Sequence, residues 1–316
     1  MQSPPPDLRL AVRLRRELLA DGYTDDQLTR LLRAGVLVRI RRGAYVEKKL
    51  WDRLAPEDRH RVLSRAVLRA GHPLMALTHV SAVLELGVAV WGVPLDEVHT
   101  TRTDGKGARR EAGVVHHSGL LAESETQVVE GVRIGPAARA AVEVMATATP
   151  EAALVVANGL LHARHITRPE LVAAAQAMKH WPYSLSAHVV VALADGRFES
   201  VGETRAFYLC RQQGLPRPEP QYVVRDERGN VVARLDLAWP AYGVFVEFDG
   251  RAKYDQHRRP GETLAQYLLR EKKREELVCL LTGWVCIRIT WEDLARPLQT
   301  GSRIRRVLEL RRPLGA

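Results

Sequence analysis

The chain has 316 residues, 46% of them hydrophobic, enough for two or three domains with their own cores; no run reaches the roughly 18 to 20 apolar residues of a membrane span. Lys and Arg number 47 against 37 Asp and Glu, a formal charge of +10, which favours a polyanionic partner through counterion release and steering. The opening MQSPPPDLRL lacks the charged-then-apolar order of a secretory signal, and Cys210, Cys279 and Cys286 are odd in number without C-x-x-C spacing, so free thiols and a cytoplasmic location are expected, not a disulfide framework or a zinc knuckle.

In DLRLAVRLRRELLADG, Leu10, Leu14 and Leu18 form an i, i+4 row with Ala11 beside it, which predicts an amphipathic helix ending in a turn at Ala20 to Tyr23. TDDQLTRLLRAG opens with a Thr24-x-x-Gln27 capping box, keeps Leu28, Leu31 and Leu32 on one side and stops at Gly35, a second helix. VLVRIRRGAYV alternates and then turns near Arg42-Gly43, which suits a short hairpin. The order over residues 1–55 is therefore helix, turn, helix, wing. Arg39, Arg41, Arg42, Lys48 and Lys49 crowd the wing, where they can contact phosphates, and Gln27, Arg30 and Arg33 on the second helix are placed to reach base edges in a major groove. A small helical module that makes protein contacts, its arginines merely solvated, is the alternative.

The pattern T-x-x-Q-L-x-R-L-L-x-x-G-x-L-x-R-x-x-R-G-x-Y, from Thr24 to Tyr45, resembles the amino-terminal winged-helix domain of AbiEi-family antitoxins. That resemblance implies a DNA-binding regulator of a type IV toxin–antitoxin system, which represses its own operon and counters a nucleotidyltransferase toxin. DNA and a cognate toxin are the partners it implies.

Residues 56–195 alternate helical patterns (EDRHRVLSRAVLRA, HVSAVLELG, AARAAVEVMATA) with short strands (DEVHTTRT, GVVHHSG, GVRIG) and predict an α+β domain. Its His-x-Ser-Ala, His79 to Ala82, resembles the second domain of AbiEi-like proteins. The loop TRTDGKGARRE carries Arg102, Lys106, Arg109 and Arg110 around two glycines, either a phosphate-contacting loop or a solvated charge run. His116-His117 and His162/His165 are set aside as metal ligands. Adjacent strand residues point to opposite faces, and the helical pair lacks a carboxylate or third ligand.

The last third, residues 196–316, predicts helix, hairpin, helix, strand, helix from FESVGETRAFYLCRQQG, NVVARLDLAWPAYGVFVEFDG and EKKREELVCLLTGWVCIRITWEDL. By the two-residue period Phe245, Glu247 and Asp249 share one face of a strand, and Val244, Val246 and Phe248 the other. A four-residue connection, Pro240 to Gly243, pairs Trp239 with Val244 and sets Asp236 opposite Glu247. Three carboxylates then crowd one patch, an arrangement that repels itself unless a cation neutralises it. A divalent metal resolves the conflict, and oxygen ligands without His or Cys favour Mg2+ or Mn2+. The implied chemistry is metal-assisted phosphodiester hydrolysis.

D-x₁₀-E-x-D-G, with an acidic helix before it and R-E-x₇-G-W-x₃-R after it, resembles the PD-(D/E)XK nuclease superfamily, close to the very-short-patch-repair-like endonucleases, over Phe198 to Leu294. The resemblance implies a restriction-endonuclease-like α/β domain in which Asp236 and Glu247 hold the metal, Asp249 is a further ligand and Glu203 supplies the outer acid. Where many such nucleases carry their signature lysine this chain has Asp249. Lys253 is then the substitute, with Lys272 and Lys273 as alternatives. Glu203 also completes Ser200-x-x-Glu203, so a capping role stays open, and EKKREE reads equally as a solvated helical face. The whole is a multidomain α+β protein with two functional readings: a Mg2+-dependent endonuclease positioned on DNA by the winged helix, in phage defence or repair, or an AbiEi-type antitoxin whose nuclease-like domain does not turn over. RNA ranks last as a partner, since aromatics are only 6% of the chain.

Overall fold

The computed structural model describes residues 8, 10–181, 187–250 and 261–311, and the chain divides into two units, Met1–Ala194 and Asp195–Ala316. The architecture is multidomain α+β, with distinct helical and sheet regions. No helix among the described residues is long and apolar enough to cross a membrane.

In the first unit Thr24 starts the helix Asp25–Arg33 with a reciprocal cap: its hydroxyl accepts the Gln27 N–H (3.2 Å), and the Gln27 amide oxygen accepts the Thr24 N–H (2.8 Å). The preceding helix is shorter than its periodicity predicts. Only Arg15–Ala20 is helical, Leu10 is 81% exposed, and Arg13–Leu14 is a strand paired with Tyr45 and Ala44. The Glu17 carboxylate accepts the Leu14 N–H (2.9 Å) and fixes the start there, so Leu14 enters the core from a strand and not from the Leu10/Leu18 face. The hairpin Leu37–Arg41 and Ala44–Glu47 turns through Gly43, whose φ of +75° suits a residue without Cβ. Its Ala44 and Val46 share one core with Val12 and Leu14 and with Val62 and Ala66 of the helix Pro56–Ala70.

Beyond that helix lies a six-stranded mixed sheet in the order Arg109–Glu111, Val114–His117, Val98–Arg102, Met75–Leu77, Val132–Ile134, Gln127–Val129. The helices His79–Glu85, Ala137–Thr147, Pro150–His162, Arg168–Ala177 and Ala187–Leu193 complete the unit. Its core contains polar groups that are paired. Arg65, 4% exposed, binds Glu85 through Nε (3.1 Å) and Nη2 (2.8 Å) and reaches Glu130 (3.0 Å). His60, 1% exposed, meets the Leu95 carbonyl at Nδ1 (3.0 Å) and the Ser81 hydroxyl at Nε2 (2.8 Å). A carbonyl only accepts, so Nδ1 carries the proton and Nε2 of the neutral ring accepts from Ser81.

Burial lowers the His60 pKa, against the smaller opposing pulls of the Leu95 carbonyl, Glu85 and Asp96. A folded-state pKa below the unfolded one leaves stability intact above the unfolded value of about 6.5 and erodes it as pH falls through that value. Urea unfolding at about pH 7.5 and about pH 5.5 is expected to show the loss, and His60→Gln, which cannot titrate, to reduce it.

The second unit starts with the helix Val201–Gln212, capped by the Ser200 hydroxyl. A four-stranded sheet follows in the order Glu219–Arg225, Val231–Trp239, Val244–Asp249, Val285–Thr290, the last pair parallel and the others antiparallel. The helix Leu264–Thr282 makes the crossover between the parallel strands, ending at Gly283 (φ +65°), and the helices Trp291–Leu294 and Pro297–Leu310 close the unit. The connection Pro240 to Gly243 is as the sequence predicts, with Trp239 paired to Val244, Ala238 to Phe245 and Leu237 to Val246. Strand Glu219–Arg225 is an addition to the predicted order, joined through a turn in which the Asp226 carboxylate accepts the Arg228 and Asn230 N–H groups.

The two faces of Val244–Asp249 separate as alternation predicts. Phe245 packs with Val278 of the crossover helix, while Phe248 lies against Gly202. A Cβ on Gly202 would collide with the Phe248 ring, which is itself held edge-on by Trp291 (5.0 Å between centroids). Gly202→Ala is therefore expected to destabilise the protein by about 1–3 kcal/mol in equilibrium urea unfolding.

Candidate functional site

The register of the hairpin brings Asp236 and Glu247 next in line after Leu237 and Val246, on the face turned toward the helix Leu264–Thr282. Both are largely buried (7% and 8% exposed), and with Asp249, Glu199, Gln221 and Arg274 they line a cleft of ≈ 380 Å³. Asp236 is oriented by the Phe248 N–H, which donates to its Oδ2 (2.8 Å).

The counter-charge expected from a metal alone has another source. Arg274 on the crossover helix reaches Glu247 (3.3 Å) and Glu271 (3.1 Å), and Arg288, on the strand beside Glu247, lies 3.5 Å from Asp249 and donates to Glu275 (2.9 Å). Burial works against the charge of Arg274, but Glu247, Glu271 and Asp236 outweigh it and hold its pKa above the usual value; Arg288 is held the same way by Glu275 and Asp249. Repulsion among the carboxylates is thus relieved by guanidinium groups, which corrects the inference that only a divalent ion could relieve it.

Glu203 is fully buried and engaged at the helix start. The Ser200 hydroxyl donates to its Oε1 (2.7 Å), and the Glu199 N–H (3.0 Å) and Gln221 side chain (2.7 Å) donate to its Oε2. It communicates with the cleft through Gln221, a residue held at φ +53°. Lys253 lies outside the described residues. Lys272 and Lys273 are exposed and do not line the cleft, whereas Arg270 and Arg274 do. Helical spacing would have found them: Tyr267, Arg270, Arg274 and Val278 recur every three or four residues.

The residues assigned to nucleic acid divide. Gln27, Arg30 and Arg33 stand exposed on the helix Asp25–Arg33, although the Gln27 amide oxygen is occupied by the Thr24 cap. Arg39 and Arg42 are exposed on the hairpin. Arg41 and Arg102 come together at a second cleft with Arg109, so the wing and the glycine loop converge. Much of the loop's charge is locally answered: Arg102 donates to Asp104 (2.9 Å), Arg110 pairs with Glu97, and Lys106 is exposed.

His116 and His117 do point apart, His116 meeting Thr100 (2.8 Å) and Glu111 (3.0 Å). What the sequence does not reveal is that His117 meets two other histidines, His79 and His99. Those three lie on separate segments, and no local spacing signals the meeting.

No family model matches the chain. Two proteins of Mycobacterium tuberculosis, one from strain CDC 1551 / Oshkosh and one from strain ATCC 25618 / H37Rv, are each 28% identical to it over 297 residues, covering 92% of this chain and 100% of the relative. Both are described as uncharacterized, so the similarity spans both units and carries no activity with it.

Proposed function

We propose that the second unit is a Mg2+-dependent endonuclease of the PD-(D/E)XK kind, brought to DNA in the cytoplasm by a winged-helix module and an AbiEi-like α+β domain in the first. The observation that carries this reading is the burial of Asp236 and Glu247 side by side at the wall of a cleft. The donor set fits a hard divalent ion: oxygen ligands from neighbouring strands, with no His or Cys lining the cleft among the described residues. Asp236 and Glu247 would hold Mg2+ or Mn2+, with Asp249 a further ligand on the same face. Bound there, the ion supplies a polarised water and stabilises charge on the phosphate.

The remaining work falls to the chain itself. The Phe248 amide fixes the direction of Asp236, and Arg274 fixes that of Glu247. Arg234, half exposed and paired with Glu199, offers a cation to a phosphodiester at the cleft. Glu203 positions Gln221. In the first unit Arg39, Arg41 and Arg42 of the wing, with Arg102 and Lys106 of the glycine loop, contact phosphates, while Gln27, Arg30 and Arg33 of the exposed helix face reach base edges.

A second reading, an AbiEi-type antitoxin or operon regulator with a non-catalytic second unit and a toxin as partner, is favoured by two particulars. Asp249 occupies the place of the signature lysine, and Arg274 already pairs with Glu247. Incubating the full chain with supercoiled, linear and single-stranded DNA distinguishes the two. Mg2+-dependent cutting that EDTA abolishes is expected. Sequence-selective DNA binding with no cutting of any substrate would replace the nuclease by the regulator.

A further inference from the structure

The histidines 79, 99 and 117 converge over three neighbouring inner strands of the six-stranded sheet. His99 and His117 sit on parallel neighbouring strands, Val98–Arg102 and Val114–His117, in a register that pairs His99 with Val115 and Thr101 with His117, so both side chains fall on the same face. His79 follows the strand Met75–Leu77 at the start of the next helix. The rings stack, with centroids 3.7 Å apart for His79 and His117 and 5.0 to 5.1 Å for the other pairs, and His99 Nδ1 lies 2.9 Å from His117 Nε2. One ring nitrogen from each lies within 4.8 Å of the others.

Two further features distinguish this group from an ordinary set of core histidines. His79 is held at φ +53°, a left-handed backbone that a residue with Cβ adopts at a cost of about 1–3 kcal/mol unless its surroundings enforce it. The enforcing group is Glu143, 1% exposed and anchored by Arg139 (2.8 Å), whose carboxylate accepts the His79 N–H (2.9 Å) and lies 3.4 Å from His79 Nδ1. The second feature is the outer bonding: the Ser81 hydroxyl accepts the His99 N–H (2.9 Å) while donating to His60. The Glu143 carboxylate behind the His79 imidazole is the kind of support that orients a histidine ligand.

Only one proton fits between His99 Nδ1 and His117 Nε2 at 2.9 Å, so at least one of these two nitrogens faces the cluster with a lone pair. Neutral imidazoles present lone pairs. We propose that His79, His99 and His117 bind one divalent transition ion, Zn2+ by the preference of imidazole over Mg2+, with a fourth position open to water. Three nitrogens about 2.0–2.1 Å from a tetrahedral ion stand about 3.3–3.4 Å apart, so an entering ion replaces the hydrogen bond between His99 and His117 and turns the stacked rings until their in-plane lone pairs converge. The site is separate in chemistry from the acidic cleft, which offers oxygen.

The test uses the full chain without a histidine tag, titrated with Co2+ and then Zn2+. One equivalent of Co2+ is expected to give the visible absorption of a nitrogen-ligated, low-symmetry ion, displaced by Zn2+ and undiminished by excess Mg2+. His99→Ala and His79→Asn, the latter tolerant of the left-handed backbone, are expected to lose it. Glu143→Gln should weaken binding about 10- to 100-fold, and Asp236→Asn/Glu247→Gln should leave it unchanged. No saturable absorption in the wild-type chain, or equal absorption in the two histidine variants, overturns the proposal. If the variants do not fold, imidazole ¹⁵N resonances of the unmodified chain decide: one equivalent of Zn2+ must shift His79, His99 and His117, and shifts confined to other histidines overturn it.

Discussion

Asp236→Asn is expected to lower Mg2+-dependent DNA cleavage by about 10²- to 10³-fold, the scale seen when one preorganised electrostatic group is removed from a reacting centre. The substitution is chosen for what it preserves. Asp236 accepts the Phe248 N–H through Oδ2, and the carbonyl oxygen of Asn can accept the same bond at nearly the same place. Hydrogen bonding and packing are thereby kept while the charge is lost, so urea unfolding should change little. Initial rates of plasmid nicking measured beside the wild type check it. Equal rates would remove Asp236 from the site, and a large loss of stability would show that its charge serves the fold.

The second large effect concerns stability. Glu85→Gln leaves Arg65, 4% exposed, facing Glu130 alone, with Arg61 nearby losing its contact to Glu85 (3.6 Å). Breaking a buried ion pair from one side typically costs about 3–5 kcal/mol, because a charge taken out of water loses its partner. Arg65→Met/Glu85→Leu, which removes both charges and refills the space, should recover most of that loss. Urea denaturation of the two variants tests the pair. A single variant within about 1 kcal/mol of wild type would show that Glu130 suffices to hold Arg65.

Where the fold was legible, the signal was local. Thr24 with Gln27, the turn at Gly43 and the connection Pro240 to Gly243 are set by hydrogen bonds or glycine conformations within a few residues. From that connection, counting along the ladder was enough to bring Asp236 beside Glu247. The Arg13–Leu14 strand is hidden because Leu14 also fits a helical row with Leu10 and Leu18, and the pairing with Ala44 that decides the matter lies some 30 residues on. The strand Glu219–Arg225 has its signal in the Asp- and Gly-containing turn from Asp226 to Asn230 rather than in its own residues. The partners of the acids were harder to see. Arg288 comes beside Glu247 only through a parallel crossover, and Arg274 only through helix packing. The histidines share this difficulty, each being unremarkable within its own segment.

The guanidinium of Arg274 also has a bearing on timing. Because it already pairs with Glu247, and Arg288 lies against Asp249, an ion entering the cleft would displace an existing partner of Glu247. An arriving phosphodiester offers the displaced guanidinium a new anion. For the nuclease proposed above, occupancy by metal and occupancy by DNA would then be thermodynamically linked, each easing the other, and such an enzyme would idle until its substrate is in place.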